Sequence, residues 1–175
     1  MKRADLIQAI HREMDGYIGI SESDGPNRSP QIDSFNKFMK VPLGSAYCLS
    51  GLWYALDNIA QIYGAININL PKTGHCLTFA RDTKPIYKSK NPEPGDFGIY
   101  QMGGTASGHA VYVQKILNDQ IKTVEFNTVG SDKKMIREGD GCFYRERPIV
   151  GIGNMKLVTF VRVIDALIFP PRFLT

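Results

Sequence analysis

Apolar residues recur at three- and four-residue steps in the first third of this chain and at alternate positions in its last half. The first rhythm is that of helices packed on one side, the second that of half-buried strands. Residues 4–15 carry the helical pattern. They are followed by a stretch dense in turn formers, Ser21-Glu22-Ser23-Asp24-Gly25-Pro26-Asn27-Arg28-Ser29-Pro30. A second short helix is predicted around Ile32–Lys40, with Ile32, Phe35, Phe38 and Met39 on one face. The strongest helical signal runs from about Ser45 to Tyr63, where Leu49, Leu52, Trp53, Leu56, Ile59, Ala60 and Tyr63 form one stripe. Pro42, Gly44 and Ser45 mark its start as a turn and N-cap.

Beyond residue 95 the period changes. Asp96–Met102, His109–Leu117, Ile121–Thr128, a piece near Gly141–Glu146, and Lys156–Val163 read as strands. Gly103-Gly104, Asn118-Asp119, Gly130-Ser131-Asp132 and Gly151–Asn154 separate them. Helices first and strands afterwards imply an α+β domain, an antiparallel sheet packed on the 45–63 helix. Phe169-Pro170-Pro171-Arg172-Phe173 is expected to lie as an extended cap. No repeat or Gly/Ser linker divides the chain, so residues 1–175 are read as a single domain.

Composition changes this picture little. At 175 residues, 43% hydrophobic and 22% charged, the chain suits one folded core rather than a disordered or fibrous protein. The net charge of +4 leans weakly toward an anionic partner, but the basic residues are scattered and no nucleic-acid face is expected. No stretch approaches the roughly 20 apolar residues of a membrane span. The N-terminal segment is too polar for the apolar region of a signal peptide. Synthesis in the cytoplasm is therefore expected, with release or delivery needed for action elsewhere. The three cysteines, Cys48, Cys76 and Cys142, are irregularly spaced, so reduced thiols rather than a disulfide framework or a zinc site are expected.

Cys48 falls in the first turn of the predicted core helix, where unpaired N–H groups and the helix dipole favour a thiolate. The other two cysteines are not expected at such a place, Cys76 lying in an uncertain segment and Cys142 in a strand or turn. A thiol nucleophile needs a base. His11 lies on an exposed-looking helix and His75 in a loop, whereas His109 opens a strand. A third group must orient the imidazole, and in Lys122-Thr123-Val124-Glu125-Phe126-Asn127 alternation puts Glu125 and Asn127 on one face. A two-residue Asn118-Asp119 turn would pair Leu117 with Gln120 and place His109 opposite Thr128. A three-residue loop would pair Ile116 with Gln120 and His109 with Asn127. Only the odd loop, or a bulge, brings His109, Asn127 and Glu125 to one face, and that shared-face register is the one expected here.

Tyr47-Cys48-Leu49-Ser50-Gly51-Leu52-Trp53, Pro94-Gly95-Asp96-Phe97-Gly98-Ile99-Tyr100, Gly108-His109-Ala110-Val111-Tyr112-Val113 and Val124-Glu125-Phe126-Asn127 follow in that order. With a roughly sixty-residue interval from Cys48 to His109, this series resembles the CHAP domains, cysteine- and histidine-dependent amidohydrolases/peptidases of the papain-like superfamily. Asn27-Arg28-Ser29-Pro30-Gln31-Ile32 and Phe160-Val161-Arg162 extend the resemblance over residues 15–163. It implies a papain-like fold, Cys48 as nucleophile, His109 as base, and Glu125 as the orienting group, with Asn127 a second candidate. It further implies hydrolysis of an amide bond in bacterial peptidoglycan, as an N-acetylmuramoyl-L-alanine amidase or a cross-bridge endopeptidase, and action at the cell wall or periplasm. A phage lysin and an antibacterial effector, the latter with an inhibitor or immunity protein as partner, both fit. The chain departs from the pattern in having Tyr47 before the cysteine and Pro42 where papain carries an oxyanion-hole glutamine. The Cys48 N–H is the expected first oxyanion donor, and the second is unassigned. Phe38-Met39-Lys40-Val41-Pro42 lacks the acidic residues through which some relatives bind calcium, so no metal and no cofactor are expected, and Asp96 is read as structural. The competing readings are a papain-like hydrolase or acyltransferase on protein or lipid, and a binding module with Cys48 and His109 as core residues.

Overall fold

Four helices pack on a mostly antiparallel sheet, an α+β arrangement, in the computed structural model, which describes residues 2–129 and 139–171. Helices α1 (Arg3–Asp15), α2 (Pro30–Met39) and α3 (Cys48–Ile62) come first. After them come β1 (Asn67–Ile68), α4 (Cys76–Asp82), a 3-10 turn at Pro85–Tyr87 and β2 (Lys88–Ser89). The remaining strands are β3 (Phe97–Met102), β4 (Gly108–Leu117), β5 (Gln120–Thr128), β6 (Gly141–Pro148), β7 (Gly151–Ile152), β8 (Met155–Val161) and β9 (Leu167–Ile168). Strand order in the main sheet is β2-β8-β3-β4-β5-β6, with β7 added on β8, and β1 pairs separately with β9. Among the described residues no helix is long and apolar enough to cross a membrane. The turn expected at Gly130-Ser131-Asp132 and the end of the Phe169–Phe173 cap lie outside the described residues.

Local chemistry accounts for the helix ends. Ser29 caps α2, its hydroxyl accepting the Ile32 N–H at 3.2 Å, with Pro30 pre-set for the first turn. The start of α3 differs from expectation. Its N-cap is Tyr47, which gives no side-chain cap, and Cys48 is the first helical residue. Ser45 instead belongs to the lead-in, where buried Asn36 donates through Nδ2 to its carbonyl at 2.9 Å. The segment around Cys76 forms a helix that no periodicity announced, capped by His75, whose ring accepts the Thr78 N–H at 3.2 Å.

The two faces of the sheet have different jobs. Ala110, Tyr112, Val124 and Phe126 face the helices and join Leu49, Leu52, Trp53 and Leu56 in the main core. Alternation sends His109, Val111, Val113, Thr123 and Glu125 to the other face. There Tyr100, Val111 and Met155 form one small apolar cluster, and Val113, Ile121 and Phe160 form another. This second face is enclosed because β6 runs through Ile149 and Val150 into β7, which bonds to β8. The Tyr100 hydroxyl donates to the Ile149 carbonyl at 3.2 Å and the Leu157 N–H to the Val150 carbonyl at 3.0 Å.

Of the two routes to the expected register, the odd loop and the bulge, the hairpin takes the bulge. Leu117 pairs with Gln120, so the turn is the two-residue Asn118-Asp119, with Asn118 left-handed at φ 54°. The shift needed to bring His109 and Glu125 to one face comes from a bulge at Gln114. Pairing changes there from Lys115 with Lys122 to Val113 with Thr123 and Tyr112 with Val124. Continued toward the strand end, the shifted register sets Glu125 opposite Val111, diagonal to His109.

Helix α3 reaches the sheet at Gly51, where an added β-carbon would overlap the Phe126 ring. Gly51→Ala gains up to about 1 kcal/mol of helix propensity, but Phe126 is fully buried and has nowhere to move. Overpacking of this kind costs about 1–3 kcal/mol. The variant is expected to have a lower thermal midpoint by circular dichroism. An unchanged or raised midpoint would contradict the packing.

Candidate active site

Cys48, at the first position of α3, has only 5% of its surface exposed. The first intrahelical bond of that turn runs from the Gly51 N–H to the Tyr47 carbonyl at 2.9 Å. The N–H groups of Cys48, Leu49 and Ser50 therefore lie at the positive end of the helix with no acceptor in the helix. His109 meets Cys48 through one side of its ring and donates from Nε2 to Glu125 Oε2 at 2.9 Å on the other. Nδ1 is thus the nitrogen left for the thiol. The His109 side chain is 13% exposed.

Glu125 has no exposed surface and is surrounded by donors. Arg147, on the same face of β6, grips it with Nη2 on Oε2 at 2.6 Å and Nε on Oε1. The Thr123 hydroxyl donates to Oε1 at 2.6 Å. Burial works against the charge, but the Arg147 and His109 hydrogen bonds outweigh it and hold the carboxyl well below the usual carboxylate range. Arg147 was not singled out from the sequence, since the strand read near Gly141–Glu146 stops one residue short of it. The signal for it was the β6 alternation, which puts Phe143, Arg145 and Arg147 on the face that carries Glu125.

Burial likewise works against a charged imidazole, but hydrogen bonds to Cys48 and Glu125 raise His109 to about 9. Cys48 is shifted the other way. A hydrogen bond from Cys76 brings its thiol well below the ordinary range, burial opposes this, and the His109 ring and the Ala110 backbone add to it. The two sulfurs lie 3.6 Å apart. With the imidazolium beside Cys48, the proton between them belongs to Cys76, which its bond to Cys48 and burial hold well above an ordinary thiol. Above the lowered Cys48 range and below the raised His109 value the arrangement is a thiolate–imidazolium pair, chemically a poised nucleophile with its proton donor in place.

The other candidates fall as follows. Asn127 sits in a left-handed bulge between the Phe126 and Thr128 pairings, with φ 54°. Its Oδ1 is buried with no hydrogen-bond partner among the described residues, while Glu125 alone of the two candidates bonds to His109. Cys76, expected away from a helix start, opens α4 and touches Cys48. Gly108 makes room for it, since a β-carbon there would come within 3.0 Å of the Cys76 β-carbon. Cys142 is fully buried, and burial pushes its thiol up. His11 is half-buried rather than exposed, its Nδ1 bonded to the Tyr112 hydroxyl. Asp96 is buried and accepts from the Glu93 N–H at 2.7 Å and from Arg162, which ties the Pro94-Gly95 turn to the end of β8. A cavity of about 530 Å³ is lined by Leu77, Arg81, Lys88, Lys90, Gln101 and Val158, and neither Cys48 nor His109 lines it. Among the described residues no three His, Cys, Asp or Glu side chains converge on a point where a metal ion could sit.

The fold has a counterpart among solved structures. It is similar to the crystal structure of Ly7917, with a TM-score of 0.51 at 10% identity over 90% of this chain. The chain spans 62% of that neighbour, and the likeness is one of fold. No family model and no curated protein matches the sequence.

Arg147→Met removes the cation from a fully buried carboxylate. Breaking a buried pair from one side costs about 3–5 kcal/mol. Urea denaturation is expected to show a loss of that size, with slower alkylation of Cys48 at neutral pH. A stability change below about 1 kcal/mol would contradict the charge assignment.

Proposed function

We propose that the chain is a papain-like cysteine hydrolase that cleaves an amide bond in bacterial peptidoglycan. The observation that carries the reading is the Cys48–His109–Glu125 relay, a buried thiol at a helix start and a histidine bonded to a carboxylate. The chain order of helix with cysteine, strand with histidine, next strand with glutamate supports it. The peptidoglycan substrate is supported by the CHAP-like motifs around those three residues, and it puts the place of action at the cell wall or periplasm.

In the mechanism, the Cys48 thiolate attacks the amide carbonyl carbon and forms a tetrahedral intermediate. The Cys48 N–H, free of any helical acceptor, donates to the oxyanion, a contact of a kind worth about 3 kcal/mol. As the C–N bond breaks, the His109 imidazolium gives its proton to the leaving amine, and a thioester remains on Cys48. His109, now neutral, takes a proton from water, which attacks the thioester and releases the acid. Glu125, anchored by Arg147 and Thr123, keeps the ring aligned and stabilises its charged form throughout.

Cys48→Ala is expected to keep the circular-dichroism spectrum and to release no fragments from purified peptidoglycan. Mass analysis of wild-type fragments then separates amidase from endopeptidase by the new termini. Release by the variant equal to wild type would refute the nucleophile. The pH profile adds an independent check. With His109 raised to about 9, the imidazolium is present below that pH and lost above it. The kcat/KM is expected to fall on the alkaline side with a limb near pH 9. A limb near 6.5, the ordinary histidine value, would contradict the Glu125 contact.

A further inference from the structure

The catalytic reading leaves one nucleophilic group at the site unused, the thiol of Cys76. Its sulfur is 3.6 Å from the Cys48 sulfur, and both residues are 5% exposed. Each opens a helix, Cys48 that of α3 and Cys76 that of the seven-residue α4. All three cysteines are free thiols, so the pair is unbonded. A disulfide needs the sulfurs at about 2.05 Å, an approach of about 1.5 Å. That approach falls to the two side chains and to the seven-residue α4 that carries Cys76.

We propose that Cys48 and Cys76 form a reversible oxidation site, in which Cys76 captures a hydroperoxide-oxidised Cys48 as a disulfide. The proposal rests on Cys48 being the reactive thiol of the site. In the first step the Cys48 thiolate attacks the terminal oxygen of a hydroperoxide. An S–O bond forms, the O–O bond breaks, and the departing oxygen takes a proton to leave as an alcohol, or as water when the oxidant is hydrogen peroxide. Cys48 is then a sulfenic acid. In the second step the Cys76 sulfur attacks the Cys48 sulfur, an S–S bond forms, and the S–O bond breaks. The hydroxide leaves with the Cys76 proton as water. Two thiols are oxidised, one hydroperoxide is reduced, and a thiol reductant reverses the change.

The neighbourhood favours this order. Cys48 is the sulfur that faces His109, so it is the one that reacts first, while Cys76 keeps its proton until the S–O bond breaks. With a second thiol 3.6 Å away, disulfide formation outruns a second oxidation to the sulfinic acid, which thiols do not reverse. The enzyme is switched off while oxidised, because its nucleophile is tied up.

The full chain is treated with a few equivalents of hydrogen peroxide, unfolded, alkylated with iodoacetamide and mapped by mass spectrometry. The expected result is a Cys48–Cys76 linked peptide, two hydrogens lighter than the separate thiol peptides, with Cys142 alkylated. Reduction with dithiothreitol before alkylation should return all three thiols. Cys76→Ser should instead accumulate Cys48 sulfinic acid that dithiothreitol does not return. Wild-type protein in which Cys48 becomes sulfinic while Cys76 remains alkylatable would overturn the proposal, as would a linked peptide containing Cys142. The thiol map of the wild type stands without the variant and uses no cell-wall substrate, so its outcome is separate from that of the hydrolase reading.

Discussion

The site depends on a carboxylate that water cannot reach. Glu125 has no exposed surface, and a lone buried charge would take up a proton rather than remain ionised. Arg147 and Thr123 keep it ionised, and the ionised form keeps His109 charged and its ring fixed. The Cys76 hydrogen bond and then His109 favour the thiolate at Cys48. Each member is shifted from its ordinary behaviour by the next, so the arginine at the end of β6 is felt at the sulfur on α3. The enclosed face of the sheet is what makes this coupling strong, since solvent there does not screen the charges.

That face also poses a geometric problem. Cys48 belongs to the helix layer, whereas alternation gives His109 and Glu125 to the opposite side of the sheet. His109 meets both because it is the second residue of β4, at the end of the strand, next to a glycine. Gly108 puts no side chain on the helix side, and that space admits the start of α4 with Cys76. The bulge at Gln114 completes the alignment, because without it His109 and Glu125 would face opposite ways.

The three long helices and the five main strands are legible in the sequence because each is long enough to show its period. Helix α4 is not, since seven residues between Gly74 and Pro85 show barely two turns of pattern. The α3 boundary misleads because Ser45 has the chemistry of a cap but is drawn away by Asn36. The hairpin register cannot be read from loop length alone. The Asn118-Asp119 turn is as short as its residues suggest, and the extra residue is hidden at Gln114, whose side chain donates to Asp15 99 residues away. Glu125 and Asn127 look equivalent by alternation. What separates them is the left-handed backbone at Asn127, a conformation that asparagine tolerates better than most residues. The contact of Cys76 with Cys48 depends on how α4 docks against Gly108, and nothing local in the chain encodes it.

The central claim is that Cys48 becomes covalently acylated during turnover with His109 as its proton partner. Rapid acid quench of the enzyme mixed with soluble peptidoglycan fragments, followed by intact-mass and peptide-mass analysis, tests it most directly. The account predicts a transient adduct of the acyl fragment's mass on Cys48, removable by hydroxylamine as a thioester is. An adduct on Cys76, or release of cleaved fragments from the Cys48→Ala variant, would contradict it.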